Sequence, residues 1–344
     1  MEDLLKIPDV DVRFFKELVN SSLNGVRTWF VLKSAVELGI FDLLKVPMSV
    51  EEISERLNCD KRLIKLFCKV LCGLKLLVEK DGRFVNTELS NALLTKDSFY
   101  SQKVFLSNAE RAIELWGKLT EILRNGPIKR DPSEFFAERA IHSLAQYSLL
   151  GELQETVKIV SELPEFKRAK RLLDLGGGHG LYAIAFTKLN PNLEAIVFDL
   201  PEVVEKTKEY IRKFGASRVK VMAGNFFKDD IGRGYDIVFS SYNPGGKKAE
   251  LIPKIYSSLN EGGVYVNRQI FRDGKEISLI DLEWNLWSFE GVEKDDRAYR
   301  FKNDLSLDEY VSELEKVGFE IVEVITLDEE MGSKMIIAKK PSAR

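Results

Sequence analysis

The sequence predicts a helical N-terminal domain followed by an α/β domain, a parallel sheet with helices on both faces. Three observations support this. The 344 residues suit about two domains at roughly 150 residues each. Apolar positions up to residue 72 recur at helical spacing. After Pro164, apolar runs at 171–175, 193–198, 219–222, 236–240 and 263–270 alternate with helical segments, as strands buried on both faces do.

In chain order, Phe14, Phe15, Leu18 and Val19, then Trp29, Phe30, Leu32, Val36 and Leu38, predict two helices within 10–46, the second stopped at Gly39. Ser49-x-x-Glu52 is a capping box opening a helix to about Leu57. Asp60 caps a helix over 61–72, ended by Gly73. Runs 76–79 and 83–86 flank Asp81-Gly82, a hairpin turn signal, so this unit reads as a winged helix-turn-helix. Lys61, Arg62, Lys65 and Lys69 share the face a DNA reader would use. Residues 1–100 nevertheless hold 15 Lys+Arg against 15 Asp+Glu, so a solvated helix face and no nucleic-acid partner are expected. Residues 101–165 read as a helical connector interrupted at Gly126-Pro127 and Asp131-Pro132, with a helix over 134–150. At the end, Ser306-x-x-Glu309 caps a helix stopped by Gly318, and runs 319–327 and 334–339 predict an antiparallel hairpin closing the sheet. The expected division is 1–100, 101–165 and 166–344.

Composition narrows the chemistry. The chain has 51 Lys+Arg against 54 Asp+Glu, net charge −3, and is a poor general polyanion binder. Its two histidines, His142 and His179, disfavour His-rich metal sites and Ser-His-Asp arrangements, and no metal site is expected. Cys59, Cys68 and Cys72 form no C-x-x-C pair and suit structural thiols in a reducing compartment. The acidic start MEDLLKIPDV is no signal peptide, and no apolar run approaches the ~18 residues of a membrane span. A cytoplasmic location, away from membranes, is expected.

The segment carrying chemistry is LLDLGGGHG, residues 172–180, a strand entering a glycine turn before a helix-compatible stretch. Asp174-x-Gly176-x-Gly178-x-Gly180 places glycines at alternate positions, unlike the G-x-G-x-x-G of nicotinamide-cofactor enzymes. Asp199 ends the second strand 19 residues beyond Gly180, where a carboxylate can accept both ribose hydroxyls of an adenosine. The pair points to S-adenosylmethionine, with a nicotinamide enzyme as the lesser competitor.

Here the chain resembles a family, the two-domain small-molecule O-methyltransferases of the plant caffeate/flavonoid and acetylserotonin type, which has bacterial and archaeal members. The resemblance spans most of the chain: AVELGIFDLL (35–44), the unit at 48–77, LWGKLTEIL (115–123), LLDLGGGHG and VFDLPEVVE (197–205). It implies a class I methyltransferase domain with a Rossmann-like seven-stranded sheet, preceded by an all-helical winged-helix-like domain that forms a homodimer. It places Asp174, Gly176, Gly178, Gly180 and Ser240 at the cofactor, with Asp199 on the ribose, Leu200 at the adenine, and Asn225-Phe226 gripping its edge and face. The acceptor, a small aromatic or polycyclic molecule, would meet His142, Trp284 and Trp287.

The departure lies after the fourth strand. O-methylating relatives carry a histidine base there, whereas this strand runs into Tyr242-Asn243-Pro244-Gly245-Gly246-Lys247. Tyr242, as a phenolate base, and Asn243, as an acceptor for an amine hydrogen, are the catalytic candidates. Their alternatives are an aromatic packing residue and a Pro-Gly turn. Methyl transfer to oxygen, carbon, nitrogen or sulfur stays open, as does a cofactor-binding regulator without catalysis.

Overall fold

The computed structural model describes residues 2–132, 135–295 and 299–342. The chain forms two compact units, Met1–Leu106 and Ser107–Arg344. The break falls inside the helix Lys103–Gly117, so most of the expected connector belongs with the sheet.

In the first unit, α1 (Val12–Glu37) starts where the Asp11 carboxylate accepts the Phe14 N–H at 2.8 Å. It is one helix of 26 residues, and Gly39 at φ 69° turns the chain into the short helix Ile40–Leu43. Only Ala35 of α1 is buried; Phe14, Phe15, Leu18, Leu23, Val26 and Phe30 form an exposed apolar series. After β1 (Met48–Ser49) come α2 (Val50–Leu57), with its complete Ser49/Glu52 capping box, and α3 (Lys61–Gly73), capped by Asp60. Strands β2 (Leu77–Lys80) and β3 (Arg83–Asn86) pair across Asp81 and Gly82. Both turn residues have positive φ, 49° and 72°, as the twist of a two-residue hairpin requires. The order β1-β3-β2 makes a three-stranded sheet, so this domain is not all-helical; two-residue β1 is too short to show a period. Phe41, Ile53, Cys68, Leu71 and Phe84 pack its core. Burial pushes the Cys68 thiol up to about 12, an inert packing role.

In the second unit, β5 (Arg171–Leu175), β6 (Glu194–Asp199), β7 (Val219–Ala223), β8 (Tyr235–Ser241), β9 (Leu259–Ile270), β11 (Glu320–Asp328) and β12 (Ser333–Lys339) form one sheet ordered β11-β12-β9-β8-β5-β6-β7. Strands β5 to β9 are parallel, and β12 runs antiparallel to both its neighbours. Both faces are covered, which is why the strands read as continuous apolar runs. Leu172, Val197, Ile237 and Val266 face α4 (Glu152–Glu162) and α5 (Leu181–Leu189). On that same face α6 (Pro201–Phe214), after β6, packs through Tyr210, Ile211 and Phe214. Leu173, Val238, Tyr265 and Ile336 face α7 (Ile252–Ser258) and, beyond α8 (Leu279–Asn285), α9 (Leu307–Val317). Each such buried side chain contributes about 1.5–3 kcal/mol.

One pair of strands escaped the sequence: β4 (Ile128–Arg130) runs parallel to β10 (Trp287–Phe289). Each has three residues, and β4 lies between two proline breaks. Strand order reverses between β8 and β5, the switch point where open α/β sheets place their ligands.

Candidate active site

The turn between β5 and α5 is shaped by close approaches. Gly176 has φ 68°, and a Cβ there would lie 2.9 Å from the Asn243 side chain. Gly178, at φ 52°, has open space where a Cβ would stand, so its backbone lines an open cradle. A Cβ on Gly180 would come 2.9 Å from Thr207 of α6. The cradle's wall is Asp199: its Oδ2 accepts the Gly178 N–H and its Oδ1 the Leu200 N–H, both at 2.8 Å. A carboxylate has about four acceptor sites, so two remain. Burial raises the Asp199 pKa, opposed by those two backbone donors.

Beneath the turn, Asp174 is 1% exposed, and among the described residues neither carboxylate oxygen has a hydrogen-bond partner of good geometry. Burial and then the Asp199 charge push its pKa up to about 7. His179 is neutral, brought down to about 4 by burial, and its Nδ1 accepts the Leu181 N–H.

Neighbouring strand tips complete the edge. The Asn225 amide oxygen accepts the Phe227 N–H at 3.0 Å, and a Cβ on Gly245 would lie 2.8 Å from the Phe226 ring. Ser240 is 1% exposed, and its hydroxyl accepts from Asn243 at 2.8 Å. It sits behind the cradle and positions Asn243.

Asn243 does not fit the amine-accepting role expected of it. Its Nδ2 also donates to the Leu175 carbonyl at 2.6 Å, while its Oδ1 accepts the Gly245 N–H at 2.9 Å. The side chain is spent clamping the loop after β8 to the glycine turn. Tyr242 does not fit the base role either. Its hydroxyl is engaged with Ser333 at 2.6 Å, and desolvation raises its pKa despite the Arg268 guanidinium 4.4 Å from its ring. A phenolate base needs the opposite shift. Arg268, unsuspected from sequence, is 5% exposed and pairs with Glu152 and the Tyr182 hydroxyl.

The expected acceptor residues separate. The Nδ1 of His142 is 2.8 Å from the Tyr210 hydroxyl on α6, and burial lowers its pKa. Among the described residues its ring contact is Tyr210, not the tryptophans. The helix expected over 134–150 begins as a π-helical turn, Phe135–Ala140, with position 134 outside the described residues. Trp284 and Trp287 do meet, ring centroids 5.2 Å apart, although one lies on α8 and the other on β10 rather than on a shared helix. Trp284 packs on Tyr299 at 4.2 Å and Trp287 stacks on Phe135 at 5.1 Å. This aromatic wall is tied to the strand tips at both ends. Phe136 and Leu200, the residue after Asp199, pack against the same buried pair, Ile141 and Val203, and the Tyr299 carbonyl accepts from Lys247 in the loop after β8.

Comparison with known proteins identifies the architecture. The model for the O-methyltransferase dimerisation domain matches residues 20–96, and that for the O-methyltransferase domain residues 141–280. Human acetylserotonin O-methyltransferase is 30% identical over 269 residues, covering 72% of this chain and 77% of that one. The chain belongs to this O-methyltransferase family. An uncharacterised protein of Methanocaldococcus jannaschii is 39% identical over 96% of this chain and 91% of its own length. Two solved structures share the fold. An O-methyltransferase family protein from Burkholderia thailandensis gives a TM-score of 0.75 at 20% identity, covering 96% of this chain and 99% of that one. Human N-acetylserotonin methyltransferase, solved with S-adenosylmethionine, gives 0.66 at 23% identity, covering 98% and 100%.

In this O-methyltransferase-family enzyme the cradle fits such a cofactor on its own geometry: an open glycine backbone, spare acceptor sites on Asp199, and, in Asp174, a buried carboxylate with no counter-charge among the described residues for a cationic ligand. Tyr242→Phe is expected to leave kcat within about three-fold and to lose about 1 kcal/mol of stability with the Ser333 hydrogen bond. A kcat loss of ~10²-fold or more, the scale of a lost general base, would restore the phenol as base.

Proposed function

We propose that this enzyme transfers a methyl group from S-adenosylmethionine to a flat aromatic or polycyclic small molecule without a histidine base, working as a homodimer through its N-terminal domain. The observation that carries the reading is the wall of Trp284, Trp287, Tyr299 and Phe135, joined to the strand tips that form the cradle. Large rings give a flat acceptor broad contact and a fixed orientation.

Bound S-adenosylmethionine supplies an electrophilic methyl on a sulfonium. Asp199 holds the ribose, Gly178 lets the backbone approach, and Asn225-Phe226 border the adenine. Asp174 contributes negative charge below the turn. The aromatic wall aligns the acceptor for in-line attack, so proximity and orientation provide the acceleration. An acceptor that ionises readily, or attacks through carbon or an amine, needs no imidazole. The exposed apolar face of α1, which from residue 20 on falls within the matched dimerisation domain, supports the homodimer.

Two expectations follow. Replacing both imidazoles (His142→Gln with His179→Asn) should leave methyl transfer within about three-fold, whereas a histidine base would cost ~10²–10⁴-fold. Calorimetric binding of S-adenosylhomocysteine by the same variant shows that the site is intact. Second, a cationic ligand favours ionised Asp174, so S-adenosylmethionine affinity should rise as pH climbs through about 7, with proton release. In the free protein the sign is reversed. A raised carboxyl pKa gives stability that is complete at low pH and is lost as pH rises through about 7. Asp174→Asn should flatten both profiles; an unchanged affinity profile would remove Asp174 from cofactor binding.

A further inference from the structure

One carboxylate on the helix that carries Trp284 has no counter-charge. Of the acids at 281–290, Asp281 is paired with Arg272 and Glu290 is exposed, whereas Glu283 is half-buried. Its Oε2 accepts the indole N–H of Trp116, on the helix Lys103–Gly117, at 2.5 Å. Among the described residues its Oε1 has no hydrogen-bond partner, and neither oxygen has an ion pair. Nor is Oε1 sealed from solvent. The lysine of the wall, Lys294, lies 3.7 Å and 3.3 Å from the Trp284 and Trp287 ring centroids and donates to the Trp284 carbonyl, not to Glu283.

The surroundings are aromatic and lead back to the cradle. Burial, then the Glu283 charge, then Tyr242 push the Tyr299 hydroxyl up to about 12, so Tyr299 stands in the field of both residues. The Tyr299 carbonyl accepts from Lys247, and Asn243 of the same loop donates to the Leu175 carbonyl at the glycine turn. This chain of contacts joins Glu283 to the cofactor turn without passing through β4 or β10.

A carboxylate accepts hydrogen bonds and donates none. Held among rings with one indole donor, it costs free energy that an apolar side chain would avoid. A second donor relieves that cost, and a hydroxyl or amine that attacks a methyl group brings one. We propose that Glu283 is the general base of methyl transfer, its Oε1 accepting the hydrogen of the attacking oxygen or nitrogen. This rests on the acceptor reading of the wall and adds the destination of the proton. A lone pair of the acceptor forms the bond to the methyl carbon as the carbon–sulfur bond breaks. The electrons of that bond go to sulfur, which leaves as neutral S-adenosylhomocysteine, and the acceptor's proton passes to Oε1 and then to water. Trp116 holds the other oxygen and thereby aims the open one, as the orienting partner of a base does.

The test uses the full-length enzyme, S-adenosylmethionine with a labelled methyl, and 2-naphthol and 2-naphthylamine as acceptors. Glu283→Gln keeps the size of the side chain and an oxygen for Trp116. It is expected to lower kcat by about 10²-fold or more, with acceptor KM and calorimetric S-adenosylhomocysteine affinity within about three-fold. Glu283→Ala should be equally slow, and added formate should restore transfer in proportion to its concentration by supplying an external carboxylate. A Glu283→Gln kcat within about three-fold of the parent, a rise in KM alone, or a Glu283→Ala rate indifferent to formate would overturn the proposal. Label on either naphthyl acceptor from the parent enzyme would then leave the methyltransferase reading standing. No label on either from the parent overturns the base assignment, and failure on every flat aromatic sinks the reading itself.

Discussion

Arg272→Ala is expected to destabilise the protein by about 3–5 kcal/mol, the range for breaking a buried ion pair from one side. Arg272 is 7% exposed and Asp281 3%. The guanidinium meets the carboxylate at two points, Nε to Oδ1 at 3.0 Å and Nη2 to Oδ2 at 3.1 Å, and also donates to the Glu330 carbonyl. Asp281 in turn accepts the Ser278 N–H and hydroxyl, the cap that starts α8. Removing the arginine leaves a buried carboxylate without its counter-charge at the root of the helix that carries Trp284. Urea unfolding measures the loss, and acceptor affinity should fall more than cofactor affinity. Burial alone would raise the Asp281 pKa, but hydrogen bonds from Ser278 and Arg272 outweigh it and hold the carboxyl below its ordinary value. Its contribution is therefore present above that value and is lost as pH falls below about 4. A variant as stable as the parent at neutral pH would show that the pair does not anchor α8.

Asp199→Ala should weaken S-adenosylmethionine binding by about a hundred-fold, the equivalent of two hydrogen bonds to a charged group at roughly 1.5 kcal/mol each. The substitution also deprives the Gly178 and Leu200 N–H groups of their acceptor, loosening the turn that faces the ligand. Asp199→Asn keeps the shape and one acceptor oxygen, so it should recover part of the loss. Unchanged affinity by calorimetry in Asp199→Ala would remove this residue from the cofactor site.

Much of the scaffold was legible because its signals are local. The seven sheet strands lie within one or a few residues of the apolar runs, and Ser49/Glu52, Asp60 and Ser306/Glu309 cap the helices they announce. The glycine turn and Asp199 were legible because spacing alone brings them to adjacent strand tips. What escaped depends on tertiary pairing. The β4–β10 strands are defined only by each other, 159 residues apart at Lys129 and Ser288, so nothing local marks Trp287 as a strand residue. Tyr242 read as a candidate base because nothing local shows its hydroxyl reaching Ser333, 91 residues on. Asn243 looked available for the same reason, its partner Leu175 being 68 residues away. Lys294 stands among charged neighbours in the sequence, and only the fold puts its ammonium on two indole faces.

The most direct measurement is transfer of isotope-labelled methyl from S-adenosylmethionine to a panel of flat aromatic acids, their neutral amides and non-aromatic small molecules, followed by mass spectrometry. The expected result is label on aromatic members of the panel, lost in Asp199→Ala and retained in the enzyme lacking both histidines. Tight S-adenosylhomocysteine binding with no label on any aromatic, or transfer abolished with the histidines, would contradict a methyltransferase that aligns its acceptor against Trp284 and Trp287 without an imidazole base.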